Sequence, residues 1–198
     1  MNEKKLVEII HHYKQHRAAH PETWLLHCAQ QNSLEEAIYE AATARNHEGK
    51  KNKHQWRLKN IDLEKFAVQL VDKADEIRKC TSFDELLDKV QRYKINGIGI
   101  LTVYDTAERI GAYLDVYPDK IYLHAGVKVG AEKVLGMPLN KEFIHKEDLP
   151  EAFQQPDLHC GAIEDILCMY KDSFDDENES FIPKFFPHSG FKKKKSSC

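Results

Sequence analysis

The sequence predicts an all-α protein. Apolar residues recur at helical spacing in nearly every segment, helix-start signals stand where those stripes begin, and no alternating run exceeds four or five residues. The first helix carries Leu6, Ile9, Ile10 and Tyr13 on one face. Pro21 followed by Glu22 marks a second start, with Trp24, Leu25 and Cys28 on the apolar side. Ser33 caps a third helix, and Glu36 three residues on completes a capping box ahead of the stripe Leu34, Ala37, Ile38 and Ala41.

The segment 45–59, RNHEGKKNKHQWRLK, has six Lys or Arg against one Glu and no apolar period, so it reads as a basic loop. Beyond it, residues 61–77 place Leu63, Phe66, Leu70, Ala74 and Ile77 at helical spacing. Ser82 with Glu85 opens another helix, whose core face is Phe83, Leu86, Leu87 and Val90. A tight turn is expected at 96–99 and a helix over 100–114, followed by a turn at DVYPDK. IYLHAGVKVGAEKVLG reads as a helix or as a short extended piece running into one. A short helix over 147–153 and a final one over 161–174, striped by Ile163, Ile166, Leu167 and Tyr170, complete the set. These elements suggest one helical domain over residues 1–175, divisible at finer grain into 1–80 and 81–175. The acidic stretch DSFDDENES, the aromatic FIPKFFPHSGF and the terminal KKKKSSC suggest a flexible tail over 176–198.

The chain has 198 residues, enough to bury a sizeable core, and a net charge of −3 that does not by itself announce nucleic acid. No apolar run approaches the roughly 18 residues of a membrane span, and the charged N-terminus is unlike a secretory signal. Five scattered cysteines without a CxxC fit reduced thiols, so a cytoplasmic protein without membrane contact is expected. His11, His12, His16 and His20 lie at helical spacings, but no carboxylate completes a HExxH pattern, and neither a metal nor another cofactor is expected.

The stretch INGIGILTVYDTAERIG, residues 95–111, is the most informative. Two glycines one residue apart let the chain reverse between helices, with Ile98 plugging back between them. The second helix then starts with amides that have no partner inside the helix, which together with its dipole favour an anion such as a DNA phosphate. Gly97, Ile98, Gly99, Leu101 and Thr102 are therefore candidate nucleic-acid contacts. Lys50, Lys51, Lys53 and Arg57 of the basic loop add phosphate attraction, Trp56 a stacking surface, and Gln55 a reader of base edges. Lys128 extends this rim. Each has a plain structural alternative: solvated charges, a core tryptophan, a helix-capping threonine.

The pattern apolar-x-Gly-apolar-Gly-x-x-Thr, followed by a helix, resembles the helix-hairpin-helix motif. Its continuation through Ile121-Tyr122-Leu123-His124-Ala125 to Leu135-Gly136 resembles the endonuclease III type of DNA glycosylase over residues 82–136. That resemblance implies an all-α multi-helix domain containing a helix-hairpin-helix motif, DNA as partner, and recognition or excision of an unusual base. Two positions depart from it. Leu101 stands where the family's bifunctional members have a nucleophilic lysine, and Tyr122 stands where they have a catalytic aspartate. Lyase chemistry by that route is not expected. Any activity would be that of a monofunctional N-glycosylase-like hydrolase, with Asp119 or Asp105 as the carboxylate and Tyr122 and His124 near the pocket. The rival reading is a non-catalytic helical module for protein interaction or DNA sensing, with Gly126, Gly130 and the aromatic tail as partner surfaces.

Overall fold

The computed structural model describes residues 2–175; the acidic, aromatic and lysine-rich stretches beyond lie outside them. Helices α1 (Glu3–Ala19), α2 (Thr23–Ala29), α3 (Leu34–Thr43), α4 (Asn60–Val71), α5 (Ala74–Ile77), α6 (Phe83–Arg92), α7 (Ile100–Leu114), α8 (Ala125–Leu135) and α9 (Cys160–Met169) carry the architecture. Two short strands, β1 (Ile121–Tyr122) and β2 (Phe143–Ile144), pair antiparallel with Ile121 opposite Ile144. The all-α expectation stands, with this small ribbon added.

Local signals account for most helix ends. The Ser33 and Ser82 hydroxyls accept the amides of Glu36 and Glu85 at 3.1 and 3.3 Å. The two glutamates reach back one residue further than a capping box requires, to the amides of Asn32 and Thr81. The helix expected over 61–77 breaks at Asp72 and Lys73. There the Lys73 amide bonds Leu70 O at 2.9 Å, a tighter closure that ends α4 and lets α5 restart. The segment 147–153 forms two 3-10 turns, Lys146–Asp148 and Glu151–Phe153, in place of one helix.

The apolar core falls into two clusters. One joins α1, α8 and α9, with Leu6, Ile9, Ile10, Val127, Ile163 and Phe153 inside it. The other joins α3, α4, α6 and α7 around Leu34, Ile38, Phe66, Leu86, Val103 and Ile110. Each fully buried large side chain contributes roughly 1.5–3 kcal/mol relative to exposure. β1 lies on the seam. Successive strand residues point to opposite sides, so Ile121 enters the first cluster and Tyr122 the second. α8 closes on α9 through glycine: a Cβ at Gly130 would stand 2.0 Å from Leu167 O, and one at Gly126 2.5 Å from Cys168 Sγ. These glycines serve contact inside the molecule, which corrects their reading as a partner surface.

Candidate nucleic-acid interface

The reversal between α6 and α7 has the expected form. Gly97 takes φ +91°, a conformation that side chains disfavour, and Gly99 is the N-cap of α7. A Cβ at either position would meet nothing within 4 Å, so the turn's outer side faces open space. Ile98 is 4% exposed and packs into the second cluster, leaving only its backbone for a ligand. No side chain caps α7, and its first residues Ile100 and Leu101 are exposed. Thr102 is buried, which withdraws its side chain from the surface and corrects its reading as a nucleic-acid contact.

The basic loop folds into a bridge between Arg45 and Lys51 and a 3-10 turn, Lys53–Gln55. It is anchored on α7 by a closed polar network. Gln55 Nε2 donates to Asp105 Oδ2 at 2.7 Å, and Gln55 Oε1 accepts Arg109 Nη2 at 3.2 Å. Arg109 also donates to Ala41 O at 3.2 Å and sits 3.8 Å from Asp105. His54 Nδ1 lies 2.8 Å from the same carboxylate.

Burial alone would raise the Asp105 pKa, but the His54 hydrogen bond and the charges of Arg109 and His54 hold it below the usual carboxylate value. The same hydrogen bond lifts His54 above its ordinary 6.5.

This arrangement sorts the loop's candidates. Gln55 is fully buried and cannot read base edges, because both ends of its amide are committed inside. Lys51 braces the loop through Leu58 O and Asn60 Oδ1 at 2.7 and 2.9 Å. Lys50 pairs with Glu48 at 2.6 Å, and Lys128 lies 3.9 Å from Glu132. Lys53, Trp56 and Arg57 remain, and together with His54, which the sequence reading did not single out, they line an open concavity of about 560 Å³. Trp56 is 76% exposed, so it is not the core residue its plain reading would make it.

Neither Tyr122 nor His124 is among the residues lining the Trp56 concavity. The Tyr122 ring packs against Phe83 and Tyr104 at 5.6 and 5.2 Å, and its hydroxyl donates to Asp84. His124 is the N-cap of α8; its ring centroid stands 4.1 Å from that of Tyr104, and its buried Nε2 has no hydrogen-bond partner among the described residues. Burial lowers its pKa, which keeps the imidazole neutral. Asp105, whose plain reading is a solvated acid, is buried and ion-paired, whereas Asp119 stands exposed in the turn before β1.

The histidines of α1 have local roles: His12 Nδ1 lies 2.6 Å from the Tyr170 hydroxyl, and His16 stacks on His20 at 4.8 Å. Among the described residues no group of three or more His, Cys, Asp or Glu could hold a metal ion, and no helix is long and apolar enough to cross a membrane.

Sequence reasoning missed a second cavity, of about 430 Å³, where α1 and α9 face α2 and α7. Arg17, Glu108 and Asp165 meet there from positions far apart in the chain, and no local pattern announces them. The chain matches no protein-family model, and comparisons with curated proteins and with solved structures gave no match.

Proposed function

We propose that this protein binds DNA in the manner of a helix-hairpin-helix protein, with the 97–99 turn on a backbone phosphate and the Trp56 concavity holding an unstacked or unusual base. The observation that carries this reading is the concavity itself. Three side chains that bear or acquire positive charge surround an exposed indole, on a loop fixed to the same helix that the glycine turn opens. Cations neutralise phosphate while an aromatic face stacks a base, and a single-stranded or flipped nucleotide asks for both.

Recognition fits these residues better than excision. Leu101 cannot act as a nucleophile, and Asp105 is committed to Arg109, His54 and Gln55. Asp119 is the carboxylate left for monofunctional hydrolysis. A second reading, a protein-interaction module, draws support from Ile100 and Leu101, which are 68% and 40% exposed at the head of α7.

Fluorescence anisotropy with labelled duplex and single-stranded DNA, carrying normal and modified bases, separates the readings. Binding should weaken with salt at a slope of about −2, matching roughly two neutralised phosphates. Trp56→Ala should cost about 1–3 kcal/mol of affinity. Gly99→Val, at an ordinary φ with open space around it, should keep the fold while blocking the turn's amides. Salt-insensitive binding, or none, rejects the DNA reading. Base release that survives Asp119→Asn removes that residue as the hydrolytic carboxylate.

A further inference from the structure

The cavity between α1, α2, α7 and α9 has a chemistry that the DNA reading does not use. Four carboxyls line it, from Glu22, Glu108, Asp157 and Asp165, against the two cations Lys14 and Arg17. Both cations are engaged. Arg17 donates to Asp165 and, at 3.2 Å, to Glu22. Lys14 donates to Asp157 and Gln155, each at 2.7 Å. His159 Nδ1 accepts the Ala162 amide at 3.1 Å, capping the first turn of α9 at the cavity's edge. Glu108 differs from the other carboxyls: no hydrogen bond or ion pair among the described residues engages it. Its Oε1 stands 3.2 Å from where a Cβ at Gly161 would be, against the first turn of α9.

We propose that this cavity binds an organic cation, a primary amine or guanidinium on a short apolar chain, with Glu108 as the carboxylate that receives it. An anion would find both cations that could receive it already held by Asp165, Glu22 and Asp157. A metal ion would need converging ligands, and the described residues offer no such group. The volume falls within the range of small-molecule sites, and Pro21, Leu25 and Leu158 supply apolar wall for the ligand's carbons.

Burial, then the charges of Asp165 and Asp105, push the Glu108 carboxyl up to about 8. Glu108 is therefore a neutral acid at neutral pH, and an arriving cation displaces its proton. Facing Glu108 are Tyr13 and Arg17 from α1, Glu22 before α2, and Glu164 and Asp165 from α9. Tyr104, Asp105 and Arg109 face it on its own helix. Tyr13, Tyr104 and Arg17 are held above their ordinary values and Asp105 below its own, so none of these four changes charge near neutrality.

Isothermal titration of the full chain with agmatine, cadaverine and an acetyl-Gly-Arg-Gly-amide peptide, in buffers of different ionisation enthalpy, tests this. At neutral pH close to one proton should leave per cation bound. Affinity should rise about tenfold per pH unit below the Glu108 value and level off above it. Tighter binding of the free amines assigns a small molecule, and tighter binding of the peptide assigns a protein side chain. Glu108→Gln should abolish the proton release and weaken binding at least about tenfold. Leu25→Trp, which fills the cavity without altering charge, should block binding whether or not Glu108→Gln folds. No binding by any of the three probes at millimolar concentration overturns the proposal, as does binding without proton release or binding that Leu25→Trp leaves intact. Binding of adenine that weakens as pH rises past 8, with no amine binding, would make the neutral acid the active form and also overturn it.

Discussion

The Tyr104 hydroxyl donates to Glu164 Oε2 across 2.6 Å, joining α7 in one half of the core to α9 in the other. The second Glu164 oxygen accepts the Tyr122 amide at 2.7 Å, so a single buried carboxyl ties both halves to the strand on their seam. Burial pushes its pKa well above the ordinary 4.5, against the two hydrogen bonds that lower it. The folded state thus keeps a proton that the unfolded chain gives up, and stability falls as pH rises from about 4.5 toward the folded value. Glu164→Ala strands two donors and should cost about 3 kcal/mol, whereas Glu164→Gln keeps an acceptor and should cost about 1 kcal/mol. Urea denaturation at mildly acidic and mildly alkaline pH checks both, and Glu164→Gln should also make the decline with rising pH shallower.

Asp105 and His54, 2.8 Å apart, have opposite pH behaviour. The Asp105 pKa is held down, so its contribution is present above the unfolded carboxylate value and is lost as pH falls through the folded one. That of His54 is raised, so its contribution is present below 6.5 and is lost as pH rises through the folded value. Thermal melts should therefore peak on mildly acidic ground. Asp105→Asn leaves Arg109 buried without its counter-charge and should cost about 3 kcal/mol. His54→Gln should lessen the alkaline-side decline and also weaken the acid-side contribution of Asp105, whose carboxylate the His54 hydrogen bond helps to hold ionised.

Gly130 and Gly126 differ in what they face. A Cβ at 130 meets a backbone carbonyl, which cannot move without shifting α9, so Gly130→Ala should cost about 2–3 kcal/mol. A Cβ at 126 meets the Cys168 sulfur, a side-chain end that can turn aside, so Gly126→Ala should cost about 1 kcal/mol or less. Chemical denaturation of the two variants ranks them, and equal costs would contradict this account of the α8–α9 contact.

Much of the fold was legible because its signals are local. Ser33, Ser82 and Gly99 begin helices at the positions their chemistry suits, and the stripes Leu6-Ile9-Ile10 and Ile163-Ile166-Leu167 point into one core. The site was legible only where exposure follows from local sequence. Lys53, Trp56 and Arg57 could be anticipated as a cationic, aromatic loop. The burial of Gln55 could not, because it depends on Asp105 and Arg109 some fifty residues away. The Glu108 cavity likewise needs side chains that only packing brings together. Asp105 reads as a surface acid until its helix is seen to be covered on that side.

The first and last helices share one cluster, and Tyr13 donates to Asp165 at 3.0 Å across nearly the whole described chain. A ribosome releases this protein from the front. The middle cluster has all its pieces once residue 122 has emerged, but α1 must wait, with Leu6, Ile9 and Ile10 uncovered, until α9 arrives. Joining the ends of this helix pair by circular permutation, so that α1 follows α9 directly, should shorten that exposed interval and speed the final docking step.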